Sequence, residues 1–147
     1  NINLFEINGA NARLRDKNQW KIKIDGIEGY AGYLTPVHNY AYNRILIGDA
    51  LELLPTLASN SYDLVLAIDI LEHFYKEQGV HFLKECRRIA KGSSLISTPK
   101  EFMEQDVPAN PFENHRSVWN DEDLKRCGFD TFLPNPFSWI ALASHHE

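Results

Sequence analysis

At 147 residues and 16.9 kDa, with 44% hydrophobic and 24% charged residues, the chain has the composition of a soluble globular protein and length for one domain with its own core. A formal net charge of −5 speaks against a nucleic-acid footprint, and no apolar run reaches the length of a membrane span. The start of the chain lacks the basic-then-apolar pattern of a secretory signal, and Cys86 and Cys127 show neither a disulfide framework nor a zinc spacing. The expectation is therefore a cytoplasmic protein with two reduced thiols.

The segment 2–7 reads as a first strand carrying Glu6, followed by a turn-like run of small residues around Gly9. Segment 20–28 alternates charged and apolar residues, as a strand with one partly exposed face does, and ends at Glu28-Gly29. Thr35-Pro36 opens a helix, 44–47 is a strand closed by Gly48-Asp49, and 51–57 is a short helix. The run 62–69 is so apolar that it suits a strand covered on both faces. It stops at Asp69, with Glu72 and His73 just beyond. A helix over 76–91 carries Val80, Leu83, Cys86, Arg87 and Ala90 at three- and four-residue spacing and is expected to end at Gly92. Segment 93–98 is a strand, and 101–119 is a long polar segment of the kind that is functional or mobile. A helix over 121–127 capped by Asn120 follows, then strands 129–133 and 137–143 joined through Pro134-Asn135-Pro136 as an antiparallel edge pair. The last four residues, Ser144 to Glu147, read as a ragged end or the remains of an affinity tag.

This alternation predicts an α/β fold: a three-layer, Rossmann-like sandwich whose sheet is mostly parallel with an antiparallel C-terminal hairpin, in a single domain over 1–147. Four predicted strands end on or beside an acid. Glu6 to Glu28 is 22 residues, Glu28 to Asp49 is 21, and Asp49 to Asp69 is 20, about one strand-plus-helix unit each. In a parallel sheet such acids share one edge, where ligands bind, and they suit ribose hydroxyls, an amine and a positive charge. The plainer reading is capping, because Asp49…Glu52 and Asp69…Glu72 both have capping-box spacing.

The residues 62–74, with Leu71-Glu72-His73, resemble the fourth-strand motif of class I S-adenosylmethionine-dependent methyltransferases, of the small-molecule branch that carries Leu-Glu-His there. Ile27-Glu28, Gly48-Asp49-Ala50, Ser97-Thr98-Pro99-Lys100, Arg87-Arg88-Ile89 and the run His115 to Trp119 extend the resemblance over most of the chain from Trp20 onward. It implies S-adenosylmethionine as cofactor, with Glu6, Gly9, Glu28 and Gly29 on the ribose and methionine side. Asp49 and the Ala50 N–H would meet the adenine, and Asp69 and Ile70 would line the pocket. His73 would stand near the transferred methyl, with His115 as the second candidate base, a small molecule as acceptor, and no metal. The capping or packing alternative stays open for each, and for Tyr30, Tyr33, Phe112 and Trp119 as walls of an acceptor pocket.

The first motif departs from the family pattern. Glu6-Ile-Asn-Gly9-Ala-Asn-Ala supplies one glycine where a glycine-rich turn is expected, and 8–20 inclusive is only 13 residues, barely a crossover. Either the chain is a shortened, inactive relative, or its sequence joins residues across a missing stretch, which the intact later motifs favour. An intact mass clearly above 16.9 kDa would accompany the second. The competing functions are a cofactor- or partner-binding pseudoenzyme of the same fold and a nicotinamide (NAD(P))-dependent oxidoreductase.

Overall fold

A computed structural model describes residues 16–144, in two compact units, Asn1–Gly48 and Asp49–Glu147. The expected strand 2–7, with Glu6 and Gly9, lies outside the described residues.

In the first unit, β1 (Asp25–Glu28) pairs in parallel with β2 (Arg44–Ile47), joined through α1 (Pro36–Ala41). Pro36 sits in the first turn of α1, where its missing N–H costs nothing, and Thr35 with His38 forms a capping box at the same end. Arg44 closes the pair with a 2.8 Å ion pair to Asp25. Gly26 is required by close packing, since a Cβ there would meet the Tyr42 ring at 2.8 Å. β1 is shorter than the predicted 20–28 segment, because regular pairing begins only opposite Arg44.

The second unit carries a four-stranded sheet of order β3–β4–β6–β5, formed by β3 (Tyr62–Ile68), β4 (Ala90–Pro99), β5 (Thr131–Leu133) and β6 (Ser138–Ser144). β3 and β4 are parallel, and β6 is antiparallel to both β4 and β5. β3, β4 and β5 thus run in one direction, and β6, which lies between β4 and β5, runs against them. Helices α2 (Ala50–Leu53), α3 (Lys76–Ile89) and α4 (Asp121–Arg126) complete the unit. Its core is built from Leu71, Leu83, Ile96, Trp119, Leu124 and Phe129, among others, all nearly inaccessible.

The buried stripe of α3 is Gly79, Phe82, Leu83, Cys86 and Ile89, and Val80 is exposed, one position off the predicted face. The helix does not run to Gly92. It ends at Ile89, and Ala90 turns straight into β4 with extended angles. Gly92 serves a different need, for it lies where the β3–β4 register shifts, and a Cβ would meet the Asp63 carbonyl oxygen at 2.6 Å. Burial pushes the Cys86 thiol up to about 12, so it is an inert core residue. Along β3, Val65 and Ala67 face inward, and Leu64, Leu66 and Ile68 on the other face are 53%, 60% and 53% exposed among the described residues.

Lys76 at the start of α3 reaches Asp123 of α4 at 2.6 Å, and this hydrogen bond is the main reason the Asp123 carboxyl is held below the usual carboxylate range. A carboxyl depressed by folding contributes stability above its unfolded pKa, which is lost as pH falls through the lower folded value. Because Lys76 is partly exposed, the pair is worth about 0.2–1 kcal/mol. Asp123→Asn is expected to lower the urea midpoint at neutral pH. The two curves should start to approach each other as pH falls below about 3.9, the unfolded carboxylate value, and converge only below the lower folded value. A gap that persists at acid pH would assign the loss to capping instead.

Candidate functional site

The residues singled out in the sequence fall at strand ends. In the first unit, Glu28 closes β1, where its Oε1 accepts the Tyr30 N–H at 2.8 Å and its backbone oxygen accepts Gly48 N–H at 2.9 Å. One carboxylate oxygen of Glu28 is thereby fixed by the Tyr30 N–H. Tyr30 and Tyr33 stack edge-to-face at 5.1 Å and are both partly exposed. Gly48 has φ +147°, a conformation only glycine adopts without strain, so the chain can turn sharply after β2.

The second unit begins with Asp49, which caps α2: its Oδ1 accepts Leu51 N–H at 2.8 Å. Asp49 is thus an N-cap, bonded to Leu51 N–H and not in the reciprocal capping box that the Asp49…Glu52 spacing suggested. Ala50 is buried at the first position of α2, and its N–H is one of the donors that a helix leaves without an intrahelical partner.

Asp69 behaves otherwise. Its φ is +49°, outside the extended conformation of an N-cap, so the Asp69…Glu72 spacing does not make a capping box. Instead Asp69 N–H donates to Ser97 O (2.9 Å) and Ser97 Oγ donates to Asp69 Oδ1 (2.8 Å). Neighbouring β4 therefore pins the left-handed kink that ends β3. Ile70 follows, half-buried, and residues Leu71–His73 form one 3₁₀ turn.

That turn points its polar groups inward. Glu72 is 4% exposed, and its Oε2 accepts the Thr98 hydroxyl at 2.9 Å. Burial pushes the Glu72 carboxyl up, against the lowering pull of its hydrogen bonds. The Glu72 carbonyl accepts the Arg116 and Ser117 N–H groups at 2.8 and 3.1 Å, which docks the long 101–119 segment on the turn. The Arg116 guanidinium then bonds three carbonyls: His73 O (2.7 Å) and Asn114 O (3.2 Å) through Nη1, and Pro111 O (2.7 Å) through Nη2. Gln105 and Asn114 brace the segment from within.

This docking brings His115 to His73, with ring centroids 4.9 Å apart. His115 Nδ1 lies 2.7 Å from Met103 O, an acceptor, so its proton is on Nδ1 and the Nε2 lone pair is free in the neutral ring. His73 Nδ1 is buried without a hydrogen-bond partner. The two histidines expected to carry chemistry thus meet, although 42 positions separate them in the chain. Sequence reasoning gave no role to Thr98, Ser97 or Arg116. Each acts through a contact at least 26 residues away, which no local pattern announces. Trp119 proves to be core, 1% exposed, and Phe112 is exposed. At the β5–β6 turn, a hollow of about 480 Å³ is lined by Lys100, Phe132, Pro134 and Trp139, among others.

A profile of the methyltransferase-domain family matches residues 11–97, more than half of the chain. No curated protein matches its sequence. Among solved structures, the chain is similar to the PH0226 protein of Pyrococcus horikoshii, at 17% identity and a TM-score of 0.62 over 86% of this chain and 73% of that one. It is similar to a SAM-dependent methyltransferase of Archaeoglobus fulgidus at 19% identity and a TM-score of 0.53, covering 71% of this chain and 50% of that one, so it spans half the length of that enzyme. A third likeness is to the Burkholderia thailandensis 1,6-didemethyltoxoflavin-N1-methyltransferase, determined with its bound substrate and S-adenosylhomocysteine. There the identity is 14% and the TM-score 0.52, covering 85% of this chain and 72% of that one. With an α/β fold and a family match over more than half of its length, the chain belongs to the methyltransferase-domain family.

Proposed function

We propose that the protein is a class I methyltransferase that transfers a methyl group from S-adenosylmethionine to a small acceptor. The reading is carried by the His73–His115 pair, which stands directly past the kinked end of β3 in a chain of this family. The residues fit the cofactor. Asp49 keeps one carboxylate oxygen for the adenine amine after capping α2, and Ala50 N–H is a donor for the ring. The Ser97 bond holds Asp69 Oδ1, which leaves Oδ2 as an acceptor for the methionine ammonium, with Ile70 as the apolar wall beside it. Glu28, on its own geometry, suits the ribose hydroxyls. Glu6 and Gly9 keep their cofactor roles as proposals from the sequence alone, as does Gly29 beside Glu28.

When bound, S-adenosylmethionine supplies a methyl group on a positively charged sulfur, which an acceptor lone pair takes as the carbon–sulfur bond pair leaves on sulfur. The chain's part is mainly to position the partners, which can contribute about 7–11 kcal/mol. Where the acceptor must lose a proton, His73 Nδ1 or His115 Nε2 is the group to take it. The buried, unpartnered His73 nitrogen has an unused lone pair or proton in either tautomer.

Thermal shift tests the cofactor directly. S-adenosylhomocysteine is expected to raise the melting temperature and NADH to leave it unchanged; the reverse pattern would replace the reading with an oxidoreductase. Asp49→Asn is the sharper variant, because an amide oxygen still caps Leu51 N–H while an NH₂ replaces the second acceptor. It is expected to weaken S-adenosylhomocysteine binding by roughly 1–3 kcal/mol with little change in stability. Unaltered affinity would return Asp49 to a capping role alone. Binding without turnover of any acceptor would favour a pseudoenzyme.

A further inference from the structure

We propose that Glu72, His73 and His115 form a binding site for a divalent transition-metal ion of the zinc and cobalt class. Each residue offers one ligand atom, and the three atoms lie within 4.8 Å of one another. Two imidazoles and one carboxylate are a donor set for zinc-like ions, since magnesium and calcium take oxygen ligands almost entirely.

Three independent features favour a metal over simple packing. Nδ1 of His73 is buried with no hydrogen bond, a costly state for a polar atom unless something fills its lone pair. His115 donates its Nδ1 proton to Met103 O, the second-shell arrangement that fixes a ligating histidine with its other nitrogen free. Glu72 accepts the Thr98 hydroxyl on Oε2, which orients the carboxylate and leaves its other oxygen for an ion.

Bonds to zinc are about 2.0–2.2 Å long, so the three atoms would draw together by roughly 1 Å. His115 lies on the docked segment, where the side chain can move without disturbing a strand. Three protein ligands leave a fourth position for water or an acceptor oxygen. The proposal does not rest on methyl transfer. An ion bound here takes the lone pairs assigned above to proton transfer, so at any moment the cluster is either a base or a metal centre.

The test is metal binding by the chelator-treated full chain, without cofactor or acceptor. Titration with Co²⁺, followed by its visible d–d absorption and by calorimetry, is expected to show one ion per chain displaced by Zn²⁺ but not by Mg²⁺. The terminal pair His145 and His146 is the obvious adventitious ligand, so the double variant His145→Ala, His146→Ala is expected to keep the site. His115→Ala should weaken binding at least about tenfold, given that loss of a second-shell partner alone costs about 10–100-fold. Its far-UV circular dichroism checks that the fold survives. Should His115→Ala misfold, His115→Gln, which keeps an amide donor and removes the imidazole, reads the same loss. No saturable binding would overturn the site. So would binding that vanishes with the terminal pair, or that persists unchanged when His115 is replaced in a folded variant.

Discussion

Replacing Trp119 by alanine is expected to lower the stability of the second unit by about 3–5 kcal/mol, the usual range for removing a large buried aromatic. The indole is 1% exposed and packs against α3. Its Nε1–H donates to Ser117 Oγ at 2.9 Å, and Lys76 Nζ lies 4.1 Å from the ring centroid. The ring also fills the space over Gly79 of α3. A Cβ at Gly79 would come within 2.3 Å of Trp119 Cζ2, so the helix has been left bare there for the ring to enter. With total stabilities of about 5–15 kcal/mol in ordinary domains, the loss is about a fifth of the whole or more. Urea unfolding with an unchanged slope and a much lower midpoint is the expected record. Trp119→Phe should recover part of the loss, because it keeps apolar contact and gives up only ring area and one hydrogen bond. A midpoint for Trp119→Ala within 0.5 kcal/mol of wild type would mean that the tryptophan does not anchor the segment at all.

Trp119 also shows where sequence reasoning reached and where it stopped. Local chemistry announced the elements: Pro36 after Thr35 opened α1, Asn120 opened α4, and Gly48 closed β2, each where the structure has them. The same chemistry misled when one residue type has two uses. Gly92 was expected as a helix terminus and instead permits close strand contact at a register shift. Asp69 and Glu72 have the spacing of a capping box, but a positive φ at Asp69 removes that possibility, and both carboxylates turn to hydroxyls of β4. Glu72 pairs with Thr98 and His73 meets His115 only because β4 lies beside β3 and the 101–119 segment folds back over the turn. The candidate residues could be named from the sequence; their partners could not, since tertiary contacts across 26 and 42 positions leave no period in a sequence.

The second large effect is expected at Arg116, which touches neither candidate base through its side chain's charge but holds the frame between them. Its guanidinium spans the carbonyls of His73, Asn114 and Pro111, and its backbone N–H joins the Glu72 carbonyl. Hydrogen bonds from a charged donor are worth about 1.5–3 kcal/mol each, less where water can replace them. Arg116→Ala keeps the backbone bond and loses the fork, so a net cost of about 2–3 kcal/mol is expected, concentrated on docking of the 101–119 segment. Hydrogen exchange separates this from global unfolding. The amides of Arg116 and Ser117, bonded to Glu72 O, should exchange much faster, while those of the β4–β6 ladder change little. Under the methyl-transfer proposal, His73 and His115 lose their fixed separation, and a misplacement of about 1 Å can cost about 10²-fold in rate. Arg116→Lys should restore little of either. An ammonium is a single point of charge and cannot span three carbonyls that a planar fork reaches together. Full protection of the Arg116 and Ser117 amides in the alanine variant would show that the backbone bonds and Trp119 hold the segment alone, and would remove Arg116 from the architecture of the site.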